Sequence, residues 1–200
     1  MCNYISLKTG VLLFFIAMII TVLIYLILPI NELGNNNTGA NNPGNYTPSY
    51  ERNSGKELVM IFIGSPYCPY STDSDLPEYV RSIKGDLDQI AYENDIENFV
   101  TIGVAISWET HEGIKLLNEF GEFNEINAGL NWGNTGAKKF IYKRDNRAAN
   151  VPQILIIKRE VEFAENLAPT FADERTLKRI IGRDDIISFA QGGANIFALY

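Results

Sequence analysis

The residues of this chain best able to do chemistry lie in one short run, Ser65-Pro66-Tyr67-Cys68-Pro69-Tyr70-Ser71. The run follows an apolar stretch, Leu58–Ile63, and opens a stretch of helical character that extends from about Ser71 to Asn94. A thiol at such a strand-to-helix boundary meets unpaired backbone N–H groups and the positive end of the helix dipole. Both favour the thiolate, the form that attacks disulfides. Pro69 suits a first helical position, where no N–H is needed. Ser71 lies three residues on, on the same helical face, and is placed to donate a hydrogen bond to the sulfur. The expectation is a partly exposed, acidified Cys68. A lone Cys is as a rule a small buried hydrophobe; the strand-to-helix placement is what favours the reactive reading.

Other chemistries are excluded by counting. The 200 residues include two Cys and one His. Two Cys make neither a disulfide-rich scaffold nor a four-Cys zinc site. His111 alone supplies neither a three-His site nor an HExxH pair. The acids between Asp73 and Glu97 form no calcium loop and no carboxylate pair of defined spacing, so no metal or cofactor is expected. The net charge is −7, which argues against nucleic acid as a partner, since that needs a basic footprint. Lys138, Lys139, Lys143, Arg144 and Arg147 make one local basic run, which reads as a solvated helix face. Trp108 and Trp132 read as core or packing residues, and His111 as a surface residue.

The elements that must position Cys68 follow from periodicity. Leu58–Ile63 and Phe99–Ser107 are continuous apolar runs, the mark of strands covered on both faces. Pro77 and Gly85 interrupt the first helical stretch and predict a kink or a split. Ile114, Leu117 and Phe120 predict an amphipathic helix over Thr110–Phe120, with Gly121 as its cap. Glu122–Gly133 lacks a period and reads as an insertion. Asn134 or Thr135 caps a helix through about Arg144. Ile154–Ile157 predicts a third strand and Val161–Phe163 a short fourth. Asp173 is placed to cap a last helix carrying Leu177, Ile180 and Ile181, broken at Gly182. The sum is an α/β domain with a mixed sheet flanked by helices.

Residues 11–30 stand apart from that domain. Val11–Leu28 is almost wholly aliphatic or aromatic, and no charge occurs from Thr9 to Asn31. A transmembrane helix needs roughly 20 such residues, whereas the apolar core of a secretory signal runs to about 7–15. No Ala-x-Ala-like site follows, so an uncleaved single-pass membrane anchor is expected. Cys2 precedes the apolar run and is therefore not a lipobox cysteine. Lys8 is the only charge before the span, which predicts a cytoplasmic tail over 1–10 and a C-terminal domain outside the cytoplasm. Residues 31–55 are Asn- and Gly-rich, as expected of a flexible linker. The triplets at Asn36 and Asn45 match the glycosylation pattern, which an Asn-rich linker produces by chance. Residues 56–200 have the length of one domain.

With these elements in place, the chain resembles the thioredoxin-like superfamily over roughly residues 56–190. Four features carry the resemblance: the order of elements; Cys68-Pro69-Tyr70-Ser71 at the place of the family's Cys-x-x-Cys, with Tyr67 where many members have an aromatic; Pro77 near a common helix kink; and Val151-Pro152 just before Ile154–Ile157, which looks like the family's cis-proline site. The resemblance implies a thioredoxin-like mixed sheet, Cys68 as nucleophile, and a substrate segment held by Tyr67, Pro69, Tyr70, Val151 and Pro152. Through its backbone, Val151 would pair with that extended segment.

The departure is at position 71. The family's resolving cysteine is here Ser71, so a mixed disulfide on Cys68 cannot be released from within the domain. Three readings follow. A monothiol oxidoreductase or isomerase could use external thiols, with a cysteine-containing protein or a low-molecular-weight thiol as partner. Cys68 could instead be a capture site. The third reading is a redox-silent binding module, accessory to a membrane assembly or export system. The expected location is a bacterial cell envelope, with the domain extracytoplasmic.

Overall fold

The structure is a computed structural model that describes Met18 and residues 53–144, 149–163 and 169–196. The expected tail, the membrane span apart from Met18, most of the linker, Cys2, Asn36, Asn45, Arg147 and the last four residues lie outside the described residues. Among the described residues no helix is long and apolar enough to cross a membrane. Residues Tyr50–Tyr200 form one compact unit.

Its elements are β1 (Gly55–Gly64), α1 (Leu76–Glu93), β2 (Asn98–Ala105), α2 (Thr110–Glu119), β3 (Glu125–Asn127), a short α3 (Thr135–Ala137) running into a π-helical turn (Lys138–Tyr142), β4 (Gln153–Glu162), β5 (Thr170–Ile181) and α4 (Arg183–Gln191). The sheet order is β3-β2-β1-β4-β5. β1 and β2 are parallel, as are β2 and β3, while β4 runs antiparallel to both β1 and β5. This mixed sheet flanked by helices fits the thioredoxin-like architecture that the resemblance implies.

β1 explains why the sheet has two covered faces. Its side chains alternate, as pleating requires. Leu58, Met60 and Phe62 enter a core with α1, α2 and α4, and Val59, Ile61 and Ile63 enter a second core with Ala137, Phe140 and Ile141. On α1, Leu76, Val80, Ile83, Leu87 and Ala91 form one buried stripe at helical spacing. Lys84 at its margin donates to the carbonyls of Phe120 (3.1 Å) and Glu122 (2.6 Å) and lies 3.5 Å from the Phe123 ring centre. Burial pushes its ammonium down to about 8. Lys84 thus staples α1 to the segment after α2.

Five expectations are corrected. The first helix begins at Leu76 and not near Ser71, because Pro77 occupies its first turn and the chain breaks at Asp73-Ser74-Asp75. Gly85 does not interrupt it. The two short strands over 154–163 are one strand, β4. Residues 170–181 are strand, not an Asp173-capped helix. Bulges shift the β4–β5 register between Ile156 and Ile157 and between Lys158 and Glu160, and Asp173 takes φ +48° at the second. An extra residue in one strand breaks the period of two. Leu177 and Ile180 consequently pack on the same core, at a spacing that imitates a helix. The last helix starts only after Gly182, whose φ of +99° makes the corner. Residues 125–127, read as part of an insertion, add the edge strand β3.

Glu57 and Arg159 face each other across β1 and β4 at the end of the sheet away from Cys68. Their side chains are 0% and 3% exposed, and Arg159 Nη2 lies 2.5 Å from Glu57 Oε2. Arg159 also approaches Glu174 at 3.6 Å and covers the Phe171 ring. Removing one member of a buried pair strands the other charge in a poorly solvated place. Glu57→Ala should lower unfolding stability by about 3 kcal/mol or more in urea titrations, and the double replacement Glu57→Met/Arg159→Met should recover much of that loss.

Candidate functional site

Cys68 stands between two tight turns that begin where β1 ends. Its N–H donates to the Ser65 carbonyl (3.2 Å), closing a turn with Pro66 inside it. Its own carbonyl accepts from the N–H groups of Ser71 (2.9 Å) and Thr72 (3.1 Å). Ser65 anchors the first turn from below: its buried hydroxyl donates to the Ile106 carbonyl (2.8 Å) and accepts from the Tyr67 N–H (3.3 Å). The segment is a single helical turn and not the first turn of a long helix. The aligned dipole expected behind the sulfur is therefore absent, because α1 starts eight residues after Cys68.

The thiol is half-buried and unpaired. It donates to the Val151 carbonyl at 3.4 Å, bridging residues 83 positions apart. The Val151–Pro152 peptide bond is cis, as the resemblance implies. Pro152 is buried and Val151 half-buried, while Tyr67, Pro69 and Tyr70 are exposed. Of the expected site residues, Cys68, Tyr70, Val151 and Pro152 come together, the last three lining one groove of about 350 Å³.

Ser71 departs from expectation. It is fully buried, and its hydroxyl has no hydrogen-bond partner among the described residues. It does not donate to the sulfur. With the chain turning inward, its backbone N–H and not its hydroxyl meets Cys68. A buried hydroxyl without a partner is uncommon and costs its desolvation; the enclosure suits a weakly polar group such as a thiol at least as well.

Tyr67 leans the other way. Its hydroxyl donates to the Glu112 carboxylate and accepts from the Trp108 N–H (3.3 Å). The Glu112 carboxylate raises the Tyr67 phenol above its ordinary value, with desolvation and Glu109 adding to the effect. Gly113 lets α2 come this close: a Cβ there would sit 2.5 Å from the Ser107 hydroxyl. Trp108 is 71% exposed beside Tyr67, not a core residue, whereas Trp132 is partly buried against the second core. His111 is exposed, 3.2 Å from Glu109. Sequence reasoning missed Glu112 and the role of Trp108, because nothing local distinguishes them from other surface residues.

A second missed contact ties the thiol segment to α4. Arg183 pairs with Asp73 (2.9 Å) and with Asp184 (3.0 Å). Asp73 also accepts from the Asp75 N–H (3.1 Å), which starts α1. The basic run is engaged elsewhere: Arg144 pairs with Glu174 and donates to Thr176 (3.0 Å), and Lys139 faces Phe140 and Phe171. Among the described residues no group of three or more metal-ligating side chains occurs. A further hollow, between β5 and α4, does not include the thiol turn.

No family model matches the chain. No curated protein matches it either. Among solved structures, it is similar to a secreted disulfide oxidoreductase of Mycobacterium tuberculosis described as homologous to DsbE of E. coli. The identity is 14%, the match covers 68% of this chain and 81% of that one, and the TM-score is 0.31.

The Asp73–Arg183 pair sets a pH dependence. The Arg183 guanidinium holds the Asp73 carboxyl below the ordinary carboxylate value of 3.8. A carboxyl depressed in the folded state adds stability above its unfolded value and loses it as pH falls through the folded one. Asp73→Asn should therefore lower the melting temperature at pH 7. The gap from the unsubstituted protein should close as the pH drops below the carboxylate range; a gap of constant size would show that the pair does not titrate as described.

Proposed function

We propose that residues 56–200 form a thioredoxin-like domain that exchanges thiols and disulfides through Cys68, without a resolving cysteine. The observation that carries this reading is the half-exposed Cys68 sulfur held against the Val151 carbonyl. The thiol sits where an extended segment lying along Val151 would present its own sulfur. Tyr67, Pro69 and Tyr70 offer the exposed surface around it, and Pro152 forms the floor of the adjoining groove.

The step is a displacement. The Cys68 thiolate attacks one sulfur of a partner disulfide, a new S–S bond forms, and the partner's second sulfur leaves as a thiolate that takes up a proton. Ser71 has no sulfur to attack the new bond. A second, external thiol must complete the cycle, and without one the adduct persists. Ser71 also favours a second reading, a redox-silent module that only binds.

The membrane anchor belongs to the same proposal. The uncharged run over 11–30 would hold the domain, through the linker at 31–55, on the outer side of a bacterial cell membrane with the N-terminus cytoplasmic. There, disulfides persist.

Trapping distinguishes the two readings. In a Cys2→Ser background, Cys68 of the folded protein should be alkylated by a small neutral reagent and should form a mixed disulfide with an added activated disulfide. Non-reducing electrophoresis of extracts from the protein's own cells should show an adduct that disappears with Cys68→Ala. A Cys68 that takes up neither reagent in the folded protein would end the exchange reading. A Cys68→Ala variant with full cellular function would favour the binding module.

A further inference from the structure

The turn carrying Cys68 has a hollow on each side, and both are acidic. Tyr67 lines one, of about 500 Å³, together with Glu112, Lys115 and Glu119. Tyr70 and Val151 line the other, with Arg183, Asp184 and Asp185. The charged groups of the two hollows are thus four carboxylates against Lys115 and Arg183. His111, also in the first hollow, is paired with Glu109. Arg183 pairs with both Asp73 and Asp184, so with Asp185 this side of the turn holds three carboxylates against one guanidinium. Asp185 has no ion-pair partner among the described residues. The Tyr67 phenol is raised chiefly by its hydrogen bond to Glu112, with the charges of Glu112 and Glu109 adding the least. Two members of the basic run, Arg144 and Lys139, face β5. Between the hollows the surface is aromatic: Tyr67 is 51% exposed, Tyr70 65% and Trp108 71%.

An aromatic surface ringed by carboxylates suits side chains that are cationic at the tip and apolar along the stem. Charge of one sign around a reactive group speeds encounter with the opposite sign and slows encounter with its own. We propose that the Cys68 mouth docks a protein segment whose cysteine is flanked by basic residues, and that anionic low-molecular-weight thiols such as glutathione are disfavoured. This rests on the reading of Cys68 as an exchanger. In the favoured reaction the Cys68 sulfur bonds to the segment's cysteine sulfur, and the thiol previously joined to that cysteine leaves and is protonated.

The test uses the full chain with Cys2→Ser, so that only Cys68 reports. Two synthetic peptides carry one cysteine each, flanked by Lys in one and by Glu in the other, both activated as mixed disulfides with thionitrobenzoate. Rates of thionitrobenzoate release are divided by the rates of the same peptides with mercaptoethanol, a neutral thiol. The Lys peptide should react about tenfold faster or more at low ionic strength, and added salt should bring the ratio towards one. Asp184→Asn/Asp185→Asn and Glu112→Gln/Glu119→Gln should each reduce the ratio. Equal rates at low salt, or a preference that salt does not change, would overturn the inference while leaving the exchange reading intact. Failure of both peptides to react would end the exchange reading, and the inference with it.

Discussion

Ile63 lies opposite Gln153 because β1 and β4 pair antiparallel. That register decides what meets at the end of the sheet. The chain leaving β1 and the chain entering β4 must emerge side by side, so the turn with Cys68 lands against Val151. Register in a buried strand is strongly held, since a slip of one residue would turn Leu58, Met60 and Phe62 out of one core and into the other. The 3.4 Å contact between the thiol and the Val151 carbonyl is thus secured by apolar packing over the whole length of β1. Parallel pairing on the other edge adds to this: the Ile106 N–H donates to the Gly64 carbonyl (2.8 Å), and the Ile106 carbonyl receives the Ser65 hydroxyl. Tyr67 and Trp108 are brought together by that second pairing.

The thiol turn gains its shape from what surrounds it more than from a helix behind it. Ser65 holds it from below, Arg183 holds Asp73 where it ends, and the Asp73 turn separates it from α1. The segment is therefore pinned at both ends while its middle, Tyr67 to Tyr70, faces solvent. Ser71 is drawn inward by this geometry. A hydroxyl in that enclosure forgoes a hydrogen bond, whereas a thiol would forgo less, because sulfur is a weak donor and acceptor. The Ser71 hydroxyl therefore faces inward without a partner among the described residues, while the Cys68 sulfur stays half-exposed.

Charge is distributed to match this division of labour. At the far end of the sheet Glu57 and Arg159 are buried and paired with each other, with Glu174 and Arg144 extending the network outward. At the near end the carboxylates of Glu112, Asp184 and Asp185 reach the surface and line the hollows beside the thiol turn. The first arrangement holds strands together; the second lies on either side of the thiol turn. Aromatic groups serve both ends, Phe171 under Arg159 and Tyr67 beside Glu112.

Much of the fold was legible in the residues alone. The continuous apolar runs of β1 and β2 and the stripe of α2 follow from local periodicity, as does the placing of Cys68 just after a buried strand. The family resemblance added Val151-Pro152. The reading of Thr170–Ile181 as helix failed because two bulges shift the alternation of β5 towards a helical spacing, and bulges arise from pairing with β4. The start of α1 differs because Pro77 falls in its first turn and Asp73 turns the chain just before it, where Arg183, 110 residues away, also binds Asp73. Ser71 was assigned a bond to sulfur because a helical face was assumed where the chain makes a single turn. By itself the sequence determined which segments are buried and where the reactive thiol lies, since both follow from neighbours a few positions apart. Only the tertiary structure decided which carbonyl the thiol meets, that Ser71 is enclosed, and that Glu112 lines a hollow with Tyr67 while Asp184 and Asp185 line another with Tyr70. Those contacts come from strand register and from helices packed across the sheet, and neither leaves a trace in local residue order.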